Sequence, residues 1–196
     1  QNVWMRPMEE HLKAARRLVS FVSNTQNQFL SIAPEPVDSY VEAYCDSDFA
    51  GDPATRCSVT GFVIFFCGVA VAWRSKAQKL VTLSSSEAEY VTLTDCVKDV
   101  IFIRNLLQTI QWKIDDTIVV HVDNIGAIFI ANNFSAEGRT KHIDTRLHFV
   151  RDLIDQSIIT IKYVRSHDNV VDTFTKNVDG ATFDRHKTRF VCELTG

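Results

Sequence analysis

The sequence lacks the features of a protein that coats nucleic acid, of a disulfide-bonded secreted domain and of a membrane protein. Its 24 Asp and Glu outnumber its 21 Lys and Arg, for a formal net charge of -3, whereas nonspecific nucleic-acid coats are usually basic overall. The five cysteines form no Cys-x-x-Cys pair, which is typical of buried thiols in a reduced compartment. No apolar run approaches the ~18 residues of a membrane span. We therefore expect a soluble chain without membrane contact.

Prolines and glycines are also few, at four and seven in 196 residues, and they help to mark how the chain is organised. Residues 6–22 begin near Pro7 and carry apolar side chains at the spacing of one helix face, which predicts an amphipathic helix. Residues 24–38 are polar and contain Pro34 and Pro36, which indicates a connection. The main domain is predicted to begin near residue 37.

From that boundary onward, strand-like and helix-like patterns alternate. Strands are predicted at 40–45, at 59–66 and 69–73 as a hairpin, at 117–123 and at 157–164. Helices are predicted from 87 to about 108, from the cap at Asn124 to 131, over 141–155, and from 168 onward. Two overlapping capping boxes leave the start of the long helix open. The order predicts an α/β fold: an antiparallel meander followed by parallel crossover strands, with helices on the faces of the sheet.

Two aspartates end predicted strands of this sheet. Asp46 ends the first strand and Asp123 ends the β-branched strand at 117–123. Ligands bind beyond the carboxyl ends of parallel strands, and two neighbouring carboxylates there are unfavourable unless a divalent cation compensates their charge. Taken alone, the pattern leaves open that both are ordinary strand-end aspartates.

A third carboxylate is expected from the long helix, where Glu87 and Glu89 lie two residues apart. This spacing turns them about 200° from each other, so only one can face the sheet. Glu89 shares a face with the apolar residues Leu93 and Val100, so we predict that it belongs to the site. Glu87 is interpreted as a cap or surface charge.

Five sequence blocks resemble, in the same order, the ribonuclease H domain of copia-type LTR retrotransposon Pol polyproteins. They are residues 41–52 (VEAYCDSDFAGD), 84–90 (SSSEAEY), 121–124 (HVDN), 141–144 (KHID) and 171–176 (VDTFTK). Residues 7–18 resemble the end of the reverse transcriptase that precedes this domain. The resemblance implies a helical connection at 1–37, a ribonuclease H domain at 38–176 and a helical C-terminal tail at 177–196. The implied fold is a mixed five-stranded sheet with helices on both faces.

The resemblance also implies an activity, the hydrolysis of the RNA strand of RNA–DNA hybrids by an endonuclease during reverse transcription. Asp46, Glu89, Asp123 and Asp172 match the family's metal-binding carboxylates and would hold two Mg²⁺, or Mn²⁺, for in-line attack by water. Asp46 would bridge the ions, and Asp172 would lie on the nucleophile side. His167 is the candidate for proton transfer or product release.

Three polar residues flank these carboxylates: Ser85, Ser86 and Asn124 are candidates for binding the substrate through its 2′-hydroxyl groups. Basic side chains near residues 74–79 and 139–151 could contact phosphates. The implied partners are the RNA–DNA hybrid and the reverse transcriptase domain of the same polyprotein, and the implied location is cytoplasmic, within virus-like particles.

Two other functions are compatible with this fold class. Integrases and transposases also use carboxylates with metals, but in the order Asp, Asp, Glu, whereas here the glutamate lies between the aspartates. A non-catalytic tether or nucleic-acid-binding module would be indicated by the loss of a metal-binding carboxylate, and all four are present in this chain.

Overall fold

The computed structural model describes residues 8–30, 32, 40–52, 55–114, 117–132 and 141–193. The predicted helix start at Pro7 and the predicted domain boundary near residue 37 lie outside these ranges. Within them, no helix combines the length and the apolar character needed to cross a bilayer.

The described residues form seven strands and six helices. The strands are β1 (Gln28–Leu30), β2 (Val41–Asp48), β3 (Val59–Phe66), β4 (Val69–Ala77), β5 (Ile118–Val122), β6 (Ile159–Tyr163) and β7 (Val191–Glu193). The helices are α1 (Glu9–Asn24), α2 (Ser85–Thr109), α3 (Ile125–Asn132), α4 (Lys141–Asp155), α5 (Asp172–Thr175) and α6 (Gly180–Lys187). A 3₁₀ turn, Ser166–Asp168, precedes α5.

The main sheet has five strands in the order β4-β3-β2-β5-β6. β2, β3 and β4 form an antiparallel meander, while β5 is parallel to both β2 and β6. This arrangement confirms the predicted mixed sheet. It also places the carboxyl ends of β2, β5 and β6 at one edge, where the loops that follow them converge.

Helices cover both faces of this sheet, as the resemblance implied. Because side chains alternate along a strand, Phe62 and Ile64 of β3 join the core beneath α2, α3 and α4. Their neighbours Val63 and Phe65 face the other way, where they pack with Val171 and with residues of α5 and the C-terminal segment. Strand β3 is therefore buried on both of its faces.

The structure departs from the sequence prediction at the two ends of the chain. Residues 28–30, predicted as part of a polar connection, form β1, which pairs antiparallel with β7 in the predicted helical tail. Only α6 confirms the helical part of that tail. Three-residue strands are too short to show the two-residue period that identifies a strand in sequence.

Phe190 attaches the C-terminal segment to the outer face of the sheet. Its ring lies 5.8 Å from that of Phe65 and 5.5 Å from that of Phe174, measured between centroids. We expect Phe190→Ala to lower the free energy of unfolding by about 2 kcal/mol, less than the ~3–5 kcal/mol of a fully buried phenylalanine. Urea unfolding measures this, with Phe102→Ala, whose side chain is 66% exposed, as a control that should change little. Equal losses for both variants would contradict the assignment.

Candidate metal centre

Asp46 and Asp123 emerge side by side from adjacent parallel strands. The residues just before them, Cys45 and Val122, are partners in the register of β2 and β5. Asp46 is 2% exposed, so its carboxylate lies beneath the sheet edge rather than in solvent. The strand adjacency on which the sequence prediction depended is therefore present.

Glu89 reaches the same point from the first turns of α2. The helix begins after Ser84, whose side chain accepts a hydrogen bond from the Glu87 amide at 3.2 Å, and Glu87 in turn accepts one from the Leu83 amide at 2.7 Å. Glu89 is buried, and its Oε1 accepts a hydrogen bond from the Ser47 amide at 3.1 Å. Thus Glu87 caps the helix, whereas Glu89 faces the sheet.

The three side chains form one acidic cluster, with an oxygen of each of Asp46, Glu89 and Asp123 within 4.8 Å of the others. Burial raises the pKa of Asp46 to about 6, against the opposing hydrogen bond from Thr175 and the charge of Lys176. Burial and the negative charges of the two aspartates raise the pKa of Glu89 to about 9. Burial also raises the pKa of Asp123. The protein alone therefore stabilises the charged cluster poorly.

The donor set of this cluster fits a hard divalent cation. Carboxylate oxygens are the ligands that Mg²⁺ and Mn²⁺ prefer. Glu89 Oε2 is buried and has no hydrogen-bond partner among the residues that the structure describes. An unpaired buried oxygen is costly, and a cation bound between the carboxylates would satisfy it.

Asp172, the fourth predicted ligand, lies beside this cluster. Its carboxylate is not one of the three whose oxygens lie within 4.8 Å of one another. It is the first residue of α5, and its Oδ1 lies 2.9 Å from Lys176 Nζ. The same Nζ lies 3.8 Å from Asp46 Oδ2, which also accepts a hydrogen bond from the hydroxyl of Thr175. Asp172 is thus linked to Asp46 through a cation of the chain itself.

Gly61 allows α5 to approach closely enough for these contacts. It is the cross-strand partner of Asp46 in β3. A Cβ at this position would lie 2.4 Å from the Thr175 side chain and 2.9 Å from that of Val171, which is closer than van der Waals contact permits. A larger residue at position 61 would therefore push α5 away from Asp46.

Ser86 and Asn124 meet where the N-termini of α2 and α3 converge. Ser86 Oγ donates to Asn124 Oδ1 at 3.2 Å, and the same oxygen accepts from the Ala127 amide at 2.9 Å. At Gly126 a Cβ would lie 2.3 Å from Ser86 Oγ, so glycine permits this close approach. Ser85 is exposed in the first turn of α2. The structure therefore brings Ser86 and Asn124 together close to the acidic cluster.

His167 lies on the exposed 3₁₀ turn before α5. Its Nδ1 is 2.7 Å from Asp168 Oδ1, and its Nε2 faces Nη1 of Arg185 in α6. Arg185 Nη2 also donates to the backbone carbonyl of His167 at 2.6 Å. Two charged neighbours therefore fix the ring outside the acidic cluster.

Sequence reasoning missed three residues that build the site, namely Asn169, Thr175 and Lys176. Asn169 is fully buried, and its side-chain Nδ2 donates a hydrogen bond to the backbone carbonyl of Cys45 at 3.0 Å. Its backbone carbonyl accepts a hydrogen bond from the Asp172 amide. Asn169 thereby ties the start of α5 to the end of β2. Thr175 and Lys176 stand within the block at 171–176, but their spacing from Asp172 says nothing about Asp46.

A five-stranded mixed sheet of this order, with acidic residues at the carboxyl ends of its two central strands, places the protein in the ribonuclease H fold class. One solved structure, ribonuclease H1 LC11 isolated from compost by a metagenomic approach, matches with a TM-score of 0.53. The match covers 75% of this chain and 97% of that one at 14% identity. That likeness concerns the fold alone. No protein-family model matches the chain.

The sequence relatives include retrovirus-related Pol polyproteins of plant transposons. The chain is 33% identical over 190 residues to that of transposon TNT 1-94 of Nicotiana tabacum, covering 97% of the chain and 14% of the relative. It is 30% identical over 183 residues to that of transposon RE1 of Arabidopsis thaliana, covering 93% and 12%. The chain belongs to the Pol polyproteins of copia-type retrotransposons, as a segment with the ribonuclease H fold that spans about one seventh of the length of these relatives.

The raised pKa values predict how stability depends on pH when no metal is bound. A carboxyl group whose pKa is raised in the folded protein opposes folding once it ionises. The free energy of unfolding of the metal-free protein should therefore be highest below about pH 4, where these carboxyl groups are protonated, and should fall as the pH rises towards 9. Melting in EDTA should therefore show a drop in Tm from pH 5 to pH 9, and the drop should be smaller by about 4 °C or more in Glu89→Gln.

Glu87→Gln is the matched control for this measurement, because it removes the same charge two residues away, outside the cluster. Its drop in Tm should match that of the wild type. Equal drops in all three proteins would show that Glu89 does not carry the effect.

Proposed function

We propose that this segment is a divalent-metal-dependent endoribonuclease that hydrolyses the RNA strand of RNA–DNA hybrids during retrotransposon reverse transcription. The observation that carries the proposal is the cluster of Asp46, Glu89 and Asp123, of which the first two are buried and the third half-buried, with the unpaired Glu89 Oε2. The kinship with Pol polyproteins supplies the biological setting.

Asp46, Glu89 and Asp123 would hold the first ion, and Asp46 with Asp172 would hold the second. Bound Mg²⁺ or Mn²⁺ activates water and stabilises charge that develops on phosphate oxygens. The chain supplies a rigid frame for this chemistry, because Asp46 and Asp123 project from adjacent strands and Glu89 is oriented by the Ser47 amide. Such orientation lowers the entropic cost of bringing reactants together.

His167 is proposed to move protons or to assist product release at the edge of the site. Its ring is held between Asp168 and Arg185 and is exposed, so it can exchange protons with solvent. Arg185 donates to Nε2.

Substrate recognition is proposed to involve Ser85, Ser86 and Asn124 through RNA 2′-hydroxyl groups. Phosphate contacts would come from a basic cleft whose lining includes Arg74, Lys76, Lys79 and Arg146. Arg74 and Arg146 are already paired with Asp99 and Asp95, so the exposed Lys76 and Lys79 are the better candidates among these four for sequence-independent phosphate binding.

The partner within the polyprotein is proposed to be the reverse transcriptase domain, and the location to be virus-like particles. The Pol relatives are six or more times longer than this chain, so further domains accompany the matching segment in them. α1 leaves Leu12, Leu18 and Val22 exposed, and such a surface is suited to packing against a neighbouring domain.

The activity is tested with an RNA–DNA hybrid labelled on either strand, incubated with Mg²⁺ or Mn²⁺ and resolved on a gel. We expect cleavage of the RNA strand only, with 5′-phosphate and 3′-hydroxyl ends and no cleavage in EDTA. Equal cleavage of duplex DNA would refute the proposal. Binding of the hybrid without cleavage in either metal would identify a non-catalytic binding module instead.

Two neighbouring glutamates offer a matched pair of variants. Glu89→Gln should lower the cleavage rate by at least about 10²-fold because it removes a charged ligand from the buried cluster. Glu87→Gln, which affects only the cap of α2, should retain most of the rate. Single-turnover assays compare the two, with circular dichroism to verify folding. The opposite ranking would place the metal site on the other face of the helix.

A further inference from the structure

Lys176 holds a position that the proposed chemistry leaves without a role. Its Nζ lies 2.9 Å from Asp172 Oδ1 and 3.8 Å from Asp46 Oδ2. The side chain of Asp46 is only 3% exposed and that of Asp172 12%, whereas that of Lys176 is 40% exposed. A partly exposed cation from the chain therefore bridges two nearly buried anions.

The two sides of the site therefore differ in whether a cation of the chain already contacts the carboxylate oxygens. Glu89 Oε2 has no described partner, so nothing from the chain needs to leave when a cation binds there. On the side of Asp172, Oδ1 also accepts no hydrogen bond from the described residues, but the Lys176 ammonium lies 2.9 Å from it as an ion pair and so already contacts the oxygens that a second ion would require. An ammonium and a divalent ion at bonding distance from the same oxygens repel each other, so the ammonium and the second ion compete for them.

We propose that Lys176 is a built-in competitor for the second metal ion: it bridges Asp46 and Asp172 until that ion binds, and then withdraws. The inference rests on the proposed metal-dependent function and adds an order to it. The ion held by Glu89 and Asp123 binds first and more tightly, and the ion held by Asp172 binds second and more weakly.

Withdrawal of Lys176 is physically inexpensive. Ion pairs of partly exposed lysines contribute little to stability, and the flexible four-carbon stem can carry the ammonium into solvent. The Thr175 hydroxyl remains on Asp46 Oδ2, and Asn169 still anchors the start of α5. The backbone of α5 can therefore stay in place while Lys176 leaves.

The first test is a calorimetric titration of Mn²⁺ into the folded protein at constant ionic strength. In Lys176→Met the second ion should bind about tenfold more tightly than in the wild type, while the affinity for the first ion changes about twofold or less. Lys98→Met is the control for the loss of one charge, since Lys98 pairs with Asp95 on α2 and not with the site. Its isotherm should match that of the wild type.

Lys176→Arg separates charge from the identity of the residue. It keeps the positive charge, so the second ion should remain within about threefold of the wild-type affinity. Unchanged or weaker binding of the second ion in Lys176→Met would overturn the competitor role, as would an equal gain in Lys98→Met.

A second measurement uses the wild-type protein and does not depend on the folding of any variant. Acetylation by an N-hydroxysuccinimide ester, read by mass spectrometry, should label Lys176 faster as Mg²⁺ is raised, because the released ammonium is more accessible. Lys98 should be labelled at a constant rate. Equal labelling of Lys176 with and without Mg²⁺ would contradict withdrawal.

The two proposals fail in different ways. A wild type that binds no divalent ion refutes the proposed function and this inference together. A wild type that binds two ions and cleaves hybrid, but whose second site is insensitive to Lys176→Met, refutes the competitor role alone.

Discussion

The repulsion among three carboxylates held within 4.8 Å of one another, two of them buried and one half-buried, is the constraint on which the rest of the site depends. Isolated charges in a poorly solvated site raise one another's pKa and oppose folding. The largest effect is on Glu89, whose pKa is raised to about 9. Such an arrangement persists only if the surrounding structure holds it in place and if a counter-charge is available when the protein works.

Several contacts hold the carboxylates in place, and they come from distant parts of the chain. The β2–β5 register positions Asp46 beside Asp123, and the Ser47 amide orients Glu89. Asn169, more than a hundred residues after β2, donates to the Cys45 carbonyl and brings α5 to the same edge. Gly61 leaves the space that α5 needs. The chain supplies part of the counter-charge through Lys176 on one side, and on the proposed function a cation from solution would supply the rest on the other.

Most of the fold and the core of the site were predictable because they follow local periodic signals. Strand β3 and helix α4 were predicted at their observed ends, and the phase of α2 selected Glu89 over Glu87 from the apolar stripe that contains Leu93. The contacts of Asn169 and Lys176 were not predictable, since they depend on where α5 packs in three dimensions. The β1–β7 pair was missed because three-residue strands carry no recognisable period.

The charge of the site also explains how an acidic chain could act on a polyanion. Without metal, the carboxylates repel the phosphates of any nucleic acid, and the formal net charge of -3 adds no long-range attraction. Local cations must then supply the attraction, and the exposed Lys76 and Lys79 lie at the cleft between β4 and α2. Divalent ions bound by the carboxylates would reverse the sign of the potential at the reactive phosphate. On the proposed function, metal binding is therefore a condition for productive substrate binding as well as for chemistry, and the order in which the two ions bind determines when the site can accept a phosphate.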